Sequence, residues 1–369
     1  MARRKTKRKT PKGRKVKKIS RLRKPEDMPL EQWQVALRKQ FAQKQNFRLK
    51  NIGDEPIFSE FIVTNPETGG EYRVAIRGQR IGDNYCSCPD FAVNTLGTCK
   101  HIEFTLAKLQ RKRGGKKAFA EGFQPTYSEI YLRYGAKREV VFSPGTECPK
   151  SLLELASHYF DKYGILKSQG YSRFDTFMRK TGAFKHDLRC YDDTIEFIAQ
   201  VRDRYHLKKR IEKAFPSSTN SAAFRKLLKV QLYPYQRKGA LFAAKAGRSL
   251  IADDMGLGKT IQAIAAVEIL AKTVGLERVL IISPTSLKHQ WKQEIGKFSE
   301  RSAQVIEGSL AKRDKLYNDE SFYKIINYEV VHRDFDLIRN WAPEMIILDE
   351  AQRIKNWKTR RAQSVKKLD

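Results

Sequence analysis

The sequence is poor in four things. No stretch of its 369 residues approaches the roughly 18 unbroken apolar residues of a membrane span, and mean hydropathy is −0.60. The N-terminus is basic but lacks an apolar core, which excludes a secretory signal. Five cysteines do not make a disulfide framework in such a chain. Acidic residues are also scarce, at 41 Asp+Glu against 73 Lys+Arg. These exclusions point to a soluble intracellular protein with no membrane partner. What is present, 40% hydrophobic residues with 11% aromatics, suffices for ordinary cores and excludes wholesale disorder. The length suggests about two or three domains.

The formal net charge is +32. The first 24 residues hold 14 Lys/Arg and no acid, which leaves +18 for the remaining 345. The excess is therefore spread beyond the tail, and it implies a polyanionic partner, nucleic acid first.

Four regions follow from composition and periodicity. Residues 1–28 read as a disordered basic tail. Residues 29–123 read as a small α+β module: an amphipathic helix from Leu30, strands over 58–63 and 72–77, and a helix over 99–112. Residues 124–222 form a mixed, mainly helical linker region, with strands at 128–134 and 139–142 and helices at 152–163, 174–179 and 194–215. Residues 223–369 alternate β and α, with short apolar strands at 249–252, 279–283, 324–327 and 345–348. That pattern belongs to an α/β fold with a parallel, doubly wound sheet.

Three of the five cysteines and one of the six histidines fall within residues 86–101, as Cys86-Ser-Cys88, ten residues, then Cys99-Lys-His101. Residues two apart on a strand face the same way, so Cys86 and Cys88 can present both sulfurs to one point. Cys99 and His101, at the entry to the next helix, can close a tetrahedron. Three thiolates and an imidazole suit Zn²⁺, and four protein ligands leave no open position, so the site is structural.

Ile251-Ala-Asp-Asp-Met-Gly-Leu-Gly-Lys-Thr260 opens a helix. Gly256 and Gly258 let backbone amides approach phosphate oxygens, Lys259 can then reach the β/γ-phosphates, and Thr260 can ligate Mg²⁺. About 90 residues later, Met345-Ile-Ile-Leu-Asp349-Glu350-Ala-Gln352 is an apolar strand ending in two carboxylates. Asp349 would hold Mg²⁺, and Glu350 would orient or deprotonate the attacking water.

The cysteine–histidine spacing resembles a SWIM zinc finger. The segments from Lys229 onward resemble the Swi/Snf branch of superfamily-two helicase-like ATPases. Leu232-Tyr-Pro-Tyr-Gln236-Arg-Lys-Gly239 is similar to the family's adenine-side motif, with Gln236 reading adenine. Asp253 to Thr260 is similar to its phosphate loop, with Asp254 for Glu. The resemblance implies nucleotide contacts from Asp253, Met255, Gly256, Leu257, Gly258, Lys259 and Thr260. Ser283 to Leu287 through Gln290-Trp291 to Glu294-Ile295 is similar to motif Ia, and Asn327-Tyr328-Glu329 to motif Ib. Gln352 stands where the eukaryotic-type pattern has His, which suggests a bacterial-type member.

The resemblance implies a RecA-like ATP-binding lobe and a DNA-dependent ATP hydrolase that translocates on double-stranded DNA. It implies Zn²⁺, ATP and Mg²⁺ as cofactors, with Glu350, Asp349 and Lys259 catalytic. Its setting would be cytoplasmic and nucleoid-associated in a bacterium, nuclear in a eukaryote. A protein partner could engage the SWIM module. In the family a Gly-Thr-Pro motif and a second lobe with an arginine finger follow. The sequence, which stops 19 residues after Glu350, therefore reads as an N-terminal portion with an incomplete lobe and little activity of its own. A central strand between those of the two nucleotide motifs is expected to be lacking. Two rivals remain: a non-catalytic, zinc-dependent nucleic-acid or protein-binding module, and an unrelated P-loop kinase, which the motif order disfavours.

Overall fold

The computed structural model describes residues 18–254, 256–356 and 359–368. The chain divides into two compact units, Met1–Gln200 and Val201–Asp369. Residues 1–17, most of the expected basic tail, lie outside the described residues, as does Met255 of the phosphate loop. No helix among the described residues is long and apolar enough to cross a membrane.

The first unit opens with α1 (Leu30–Ala42). An antiparallel sheet follows in the order β1 (Arg48–Asn51), β2 (Glu60–Thr64), β3 (Glu71–Ala75) and β4 (Tyr85–Cys86). Three helices come next: α2 (Pro89–Val93), α3 (Lys100–Arg111) and α4 (Gly115–Glu121). In α3 the side chains of Ile102, Thr105 and Leu109 recur at helical spacing and are buried, as the periodicity of the sequence requires.

A second sheet is built from β5 (Ser128–Arg133) and β6 (Glu139–Ser143). α5 (Lys150–Tyr159) and α6 (Gly170–Thr181) then lead to β7 (Leu188–Cys190), which pairs parallel to β5. α7 (Asp192–Ala214) runs across the division between the units. One hydrophobic cluster contains Phe61, Val74, Phe91 and Ile102 together with Ile130, Val140, Phe177 and Ile198. Residues 124–200 therefore share a core with the cysteine-bearing module, whereas Ile211 and Phe215 belong to the core of the second unit.

The second unit contains α8 (Pro234–Ala246), α9 (Lys259–Val274), β8 (Val279–Ser283), α10 (Lys288–Phe298), β9 (Ala303–Val305) and α11 (Leu310–Tyr317). β10 (Tyr323–Asn327), α12 (Phe335–Trp341), β11 (Met345–Leu348) and α13 (Arg360–Lys366) follow. The sheet is parallel, in the order β11-β8-β10-β9. Alternate strand residues go to opposite faces. Val279, Ile281, Tyr323 and Ile325 pack with Ile261, Ile264, Trp291 and Ile295. Leu280, Ile282 and Ile326 pack with Tyr317, Ile338 and Val365. Both faces are covered, so these strands are continuously apolar rather than alternating. On the second face, Arg313 donates from Nε and Nη2 to the two carboxylate oxygens of Asp334, each at 2.7 Å, and from Nη1 to the Gly308 carbonyl. Asp334 is fully buried.

One expected strand does not form. Residues 249–252 have no strand conformation and pair with no strand of the sheet. A strand exists only through its ladder, and among the described residues no backbone hydrogen bond pairs this apolar segment with a neighbour. Leu250 is left 73% exposed. Three strands that the sequence reading lacked, β1, β7 and β9, are short and carry polar residues such as Lys50, Arg189 and Gln304.

Candidate metal centre and nucleotide site

Cys86 ends β4, opposite Val74 of β3. Cys88 lies just beyond the strand, because Pro89 opens α2 directly behind it and fixes the turn. The expectation that both cysteines share one strand is corrected to this extent, yet their sulfurs still converge. Cys88 Sγ accepts the Phe91 amide at 3.4 Å. Cys99 caps α3 and His101 sits in its first turn. All four side chains are buried, and their ligand atoms lie within 4.8 Å of one another.

His101 presents Nδ1 to the cluster, 3.7 Å from Cys86 Sγ. Its ring stacks on Tyr72 at 4.4 Å and 23° and touches Phe47 at 5.2 Å, while Nε2 is buried with no hydrogen-bond partner. Contact with the Cys88 and Cys99 sulfurs, then burial, raises the Cys86 thiol pKa, and burial raises that of Cys99. The same sulfur contacts lower the Cys88 pKa. Three thiols held this close cannot all ionise unless a cation joins them, and a soft S₃N donor set closed on every side fits structural Zn²⁺.

The loop carrying these ligands meets the second sheet through bare backbone. The Gly82 amide donates to the Gly97 carbonyl at 3.1 Å, and the Tyr134 amide donates to the Gly82 carbonyl at 2.9 Å. A Cβ at Gly82 would lie 2.2 Å from the Tyr134 carbonyl oxygen, and one at Gly97 2.6 Å from it, so neither position admits a side chain. Beside this contact Phe91 packs on Tyr134 at 4.4 Å, and buried Arg77 faces buried Glu129 at 3.6 Å.

In the second unit the phosphate loop leads into α9 through Gly258, whose φ of +72° is left-handed. A Cβ there would also stand 2.8 Å from Gln236 Nε2. Gln236 is buried in the first turn of α8. Its Oε1 accepts the Tyr233 amide at 3.1 Å, and its Nε2 donates to the Leu257 carbonyl at 3.4 Å. The Lys259 ammonium donates to the loop's own Asp253 and Asp254 carbonyls, each at 3.1 Å. Asp253 Oδ2 accepts from Gln262 Nε2 at 2.7 Å. Gly256 has φ of +85° and open space around it. The loop is thus an exposed backbone cradle at a helix N-terminus, the geometry that receives phosphate.

Asp349 follows β11. Its amide donates to the Ile282 carbonyl at 2.9 Å, its carbonyl accepts the Tyr328 hydroxyl at 2.6 Å, and its Oδ2 accepts Trp291 Nε1 at 2.9 Å. Glu350 is exposed in a left-handed conformation, φ +53°, rare for a residue with a side chain, and the Gln352 amide donates to its carboxylate. Two groupings result: Gln236 with Leu257 and Gly258, and Asp349 with Trp291 and Tyr328. Among the described residues no hydrogen bond or ion pair joins Lys259 or Thr260 to Asp349 or Glu350.

Residues 235–369 match the model of the SNF2-related domain, and residues 72–110 match that of the SWIM zinc finger. The chain carries a SWIM zinc finger and an SNF2-related domain. The chromatin-remodeling ATPase INO80 of Schizosaccharomyces pombe is 30% identical over 158 residues, covering 38% of this chain and 10% of that protein. The human DNA annealing helicase and endonuclease ZRANB3 is 34% identical over 135 residues, covering 35% and 12%. The chain therefore spans about a tenth of the length of these curated relatives. Among solved structures, the Sulfolobus solfataricus SWI2/SNF2 ATPase core in complex with dsDNA is 35% identical, with a TM-score of 0.36. That match covers 38% of this chain and 31% of the other.

The sequence reading missed two contacts of the SNF2-related domain. Gln262 holds Asp253, and Gly239 makes this possible: a Cβ there would fall 1.9 Å from Gln262 Oε1. Trp291 lies 58 positions from Asp349. No local spacing signals its bond to that carboxylate.

Proposed function

We propose that this chain is the zinc-finger and nucleotide-binding part of an ATP-dependent translocase acting on double-stranded DNA. The observation that carries the reading is the contact of buried Gln236 with Leu257 and Gly258. It joins an amide able to read the adenine edge to a glycine loop able to hold phosphates, across 21 residues of sequence. In this reading Gln236 orients the base. Asp253, Met255, Gly256, Leu257 and Gly258 contribute loop backbone, and Lys259 leaves the Asp253 and Asp254 carbonyls for the β/γ-phosphates. Thr260 and Asp349 hold Mg²⁺, which supplies charge neutralisation, and Glu350 positions the attacking water. Cys86, Cys88, Cys99 and His101 hold Zn²⁺ without an open position, so the metal is structural.

DNA as the polyanion is supported by the +32 charge and by relatives named for chromatin remodelling and DNA annealing. Its place of action is then wherever the DNA lies, the nucleoid or the nucleus. A second reading, a tethering module with an inert nucleotide site, is favoured by the Lys259 ammonium being satisfied by its own loop. Titration with a fluorescent ATP analogue separates the two. Saturable Mg-dependent binding, weakened at least about tenfold by Lys259→Ala with zinc content unchanged, supports the enzyme reading. Absence of binding by the unaltered chain supports the tether.

A further inference from the structure

We infer that Trp291 is a positioning residue for the nucleotide-bound metal, acting through Asp349. The inference rests on the reading of Asp349 as a metal ligand. The indole is buried on α10, packed in the core beneath the sheet with Ile295 and Ile325, so its ring has no freedom to swing away. Its Nε1–H ends 2.9 Å from Asp349 Oδ2. Indole is a donor only, so it must face a carboxylate oxygen and cannot exchange roles with it.

The backbone of Asp349 is fixed independently. The Ile282 carbonyl takes its amide, and the Tyr328 hydroxyl donates to its carbonyl. The remaining freedom is rotation of the carboxylate about its own side chain. Trp291 removes it by engaging Oδ2, and among the described residues no hydrogen bond engages Oδ1. One oxygen is tied and the other is presented in a set direction. The donor is neutral, so it brings no positive charge to compete with a cation, as an Arg or Lys in the same place would. Outer partners that orient a ligand in this way typically contribute about 10–100-fold to metal affinity.

The test uses the full chain and reads nucleotide binding rather than turnover. The Mg²⁺ midpoint is measured for binding of a fluorescent ATP analogue, and affinity for the same analogue is measured in EDTA. Trp291→Phe keeps an aromatic ring and removes the donor. It should raise the Mg²⁺ midpoint by about tenfold or more while leaving the EDTA value within about twofold. The effect should vanish in the Asp349→Ala background, where there is no carboxylate to orient. If Trp291→Phe does not fold, benzothienylalanine at position 291 keeps the indole's shape without its N–H and serves the same comparison. Asp349→Ala moving the Mg²⁺ midpoint while the donorless Trp291 variant does not would overturn the inference and leave the nucleotide reading standing. An unmoved midpoint in Asp349→Ala would overturn the metal role of Asp349, and this inference with it.

Discussion

The proposed metal centre and the proposed nucleotide site solve opposite problems. The four metal donors come from residues 86–101, all are buried, and they converge before any ion is considered. The residues proposed to hold the nucleotide are scattered from Gln236 to Glu350. The loop is exposed, and its one cation is satisfied by the loop's own carbonyls. A structural metal must be sealed from water, so its site can be built into a core. A nucleotide site must admit and release a charged ligand, so its phosphate loop stays at the surface and satisfies its own lysine. The contrast extends to what anchors each unit: sulfur and imidazole in the first, and in the second a buried guanidinium–carboxylate pair, Arg313 with Asp334.

The largest expected effect separates the two units by metal removal. Structural zinc sites contribute apparent binding energies on the order of 10 kcal/mol, and this one backs the shared core of residues 42–198. A chelator should abolish the cooperative melting transition of the first unit and spare that of the second. Calorimetry showing both transitions intact after complete zinc removal would end the comparison.

Asp334→Ala tests the second unit's anchor. It leaves a buried Arg313 charge unpaired, which costs roughly 3–5 kcal/mol. Urea unfolding should show that loss in the second unit alone, with zinc content unchanged.

The smallest effect concerns Glu103, buried beside the metal loop with Thr98 Oγ1 at 2.8 Å. Burial raises its carboxyl pKa above the ordinary 4.5. The folded state therefore holds its proton more tightly than the unfolded state does. The stability this gives is full below about pH 4.5, and is lost as pH rises through the folded value. Glu103→Gln should thus melt slightly higher than the parent at pH 7–8 and lose that advantage as pH falls. Parallel melting curves of the two proteins across pH would show that Glu103 ionises freely.

How much was legible follows the same contrast. Cys86, Cys88, Cys99 and His101 are near neighbours in sequence, so spacing alone brings them to one point, and the structure does so. The core strands β8, β10 and β11 are apolar on both faces and stand out as runs. Residues 249–252 have the same apolar look, but strand formation is a property of a pair, and among the described residues that segment pairs with no strand. The Trp291–Asp349 bond and the Gly239–Gln262 fit arise only when distant helices and strands meet. Their signal in sequence is a residue type out of keeping with its surroundings: a tryptophan in a polar helix, a glycine in the middle of another.

The bare-backbone contact of Gly82 and Gly97 with Tyr134 carries a consequence for biogenesis. The chain emerges from the ribosome in order, so the four cysteine and histidine donors are all exposed roughly thirty residues before β5 emerges. Metal capture can finish while the second sheet does not yet exist. The finished loop then offers the Gly82 carbonyl as a rigid docking edge for the incoming Tyr134 amide. Assembly of the unit becomes vectorial, with the metal-bound turn as template and the later strands as cargo.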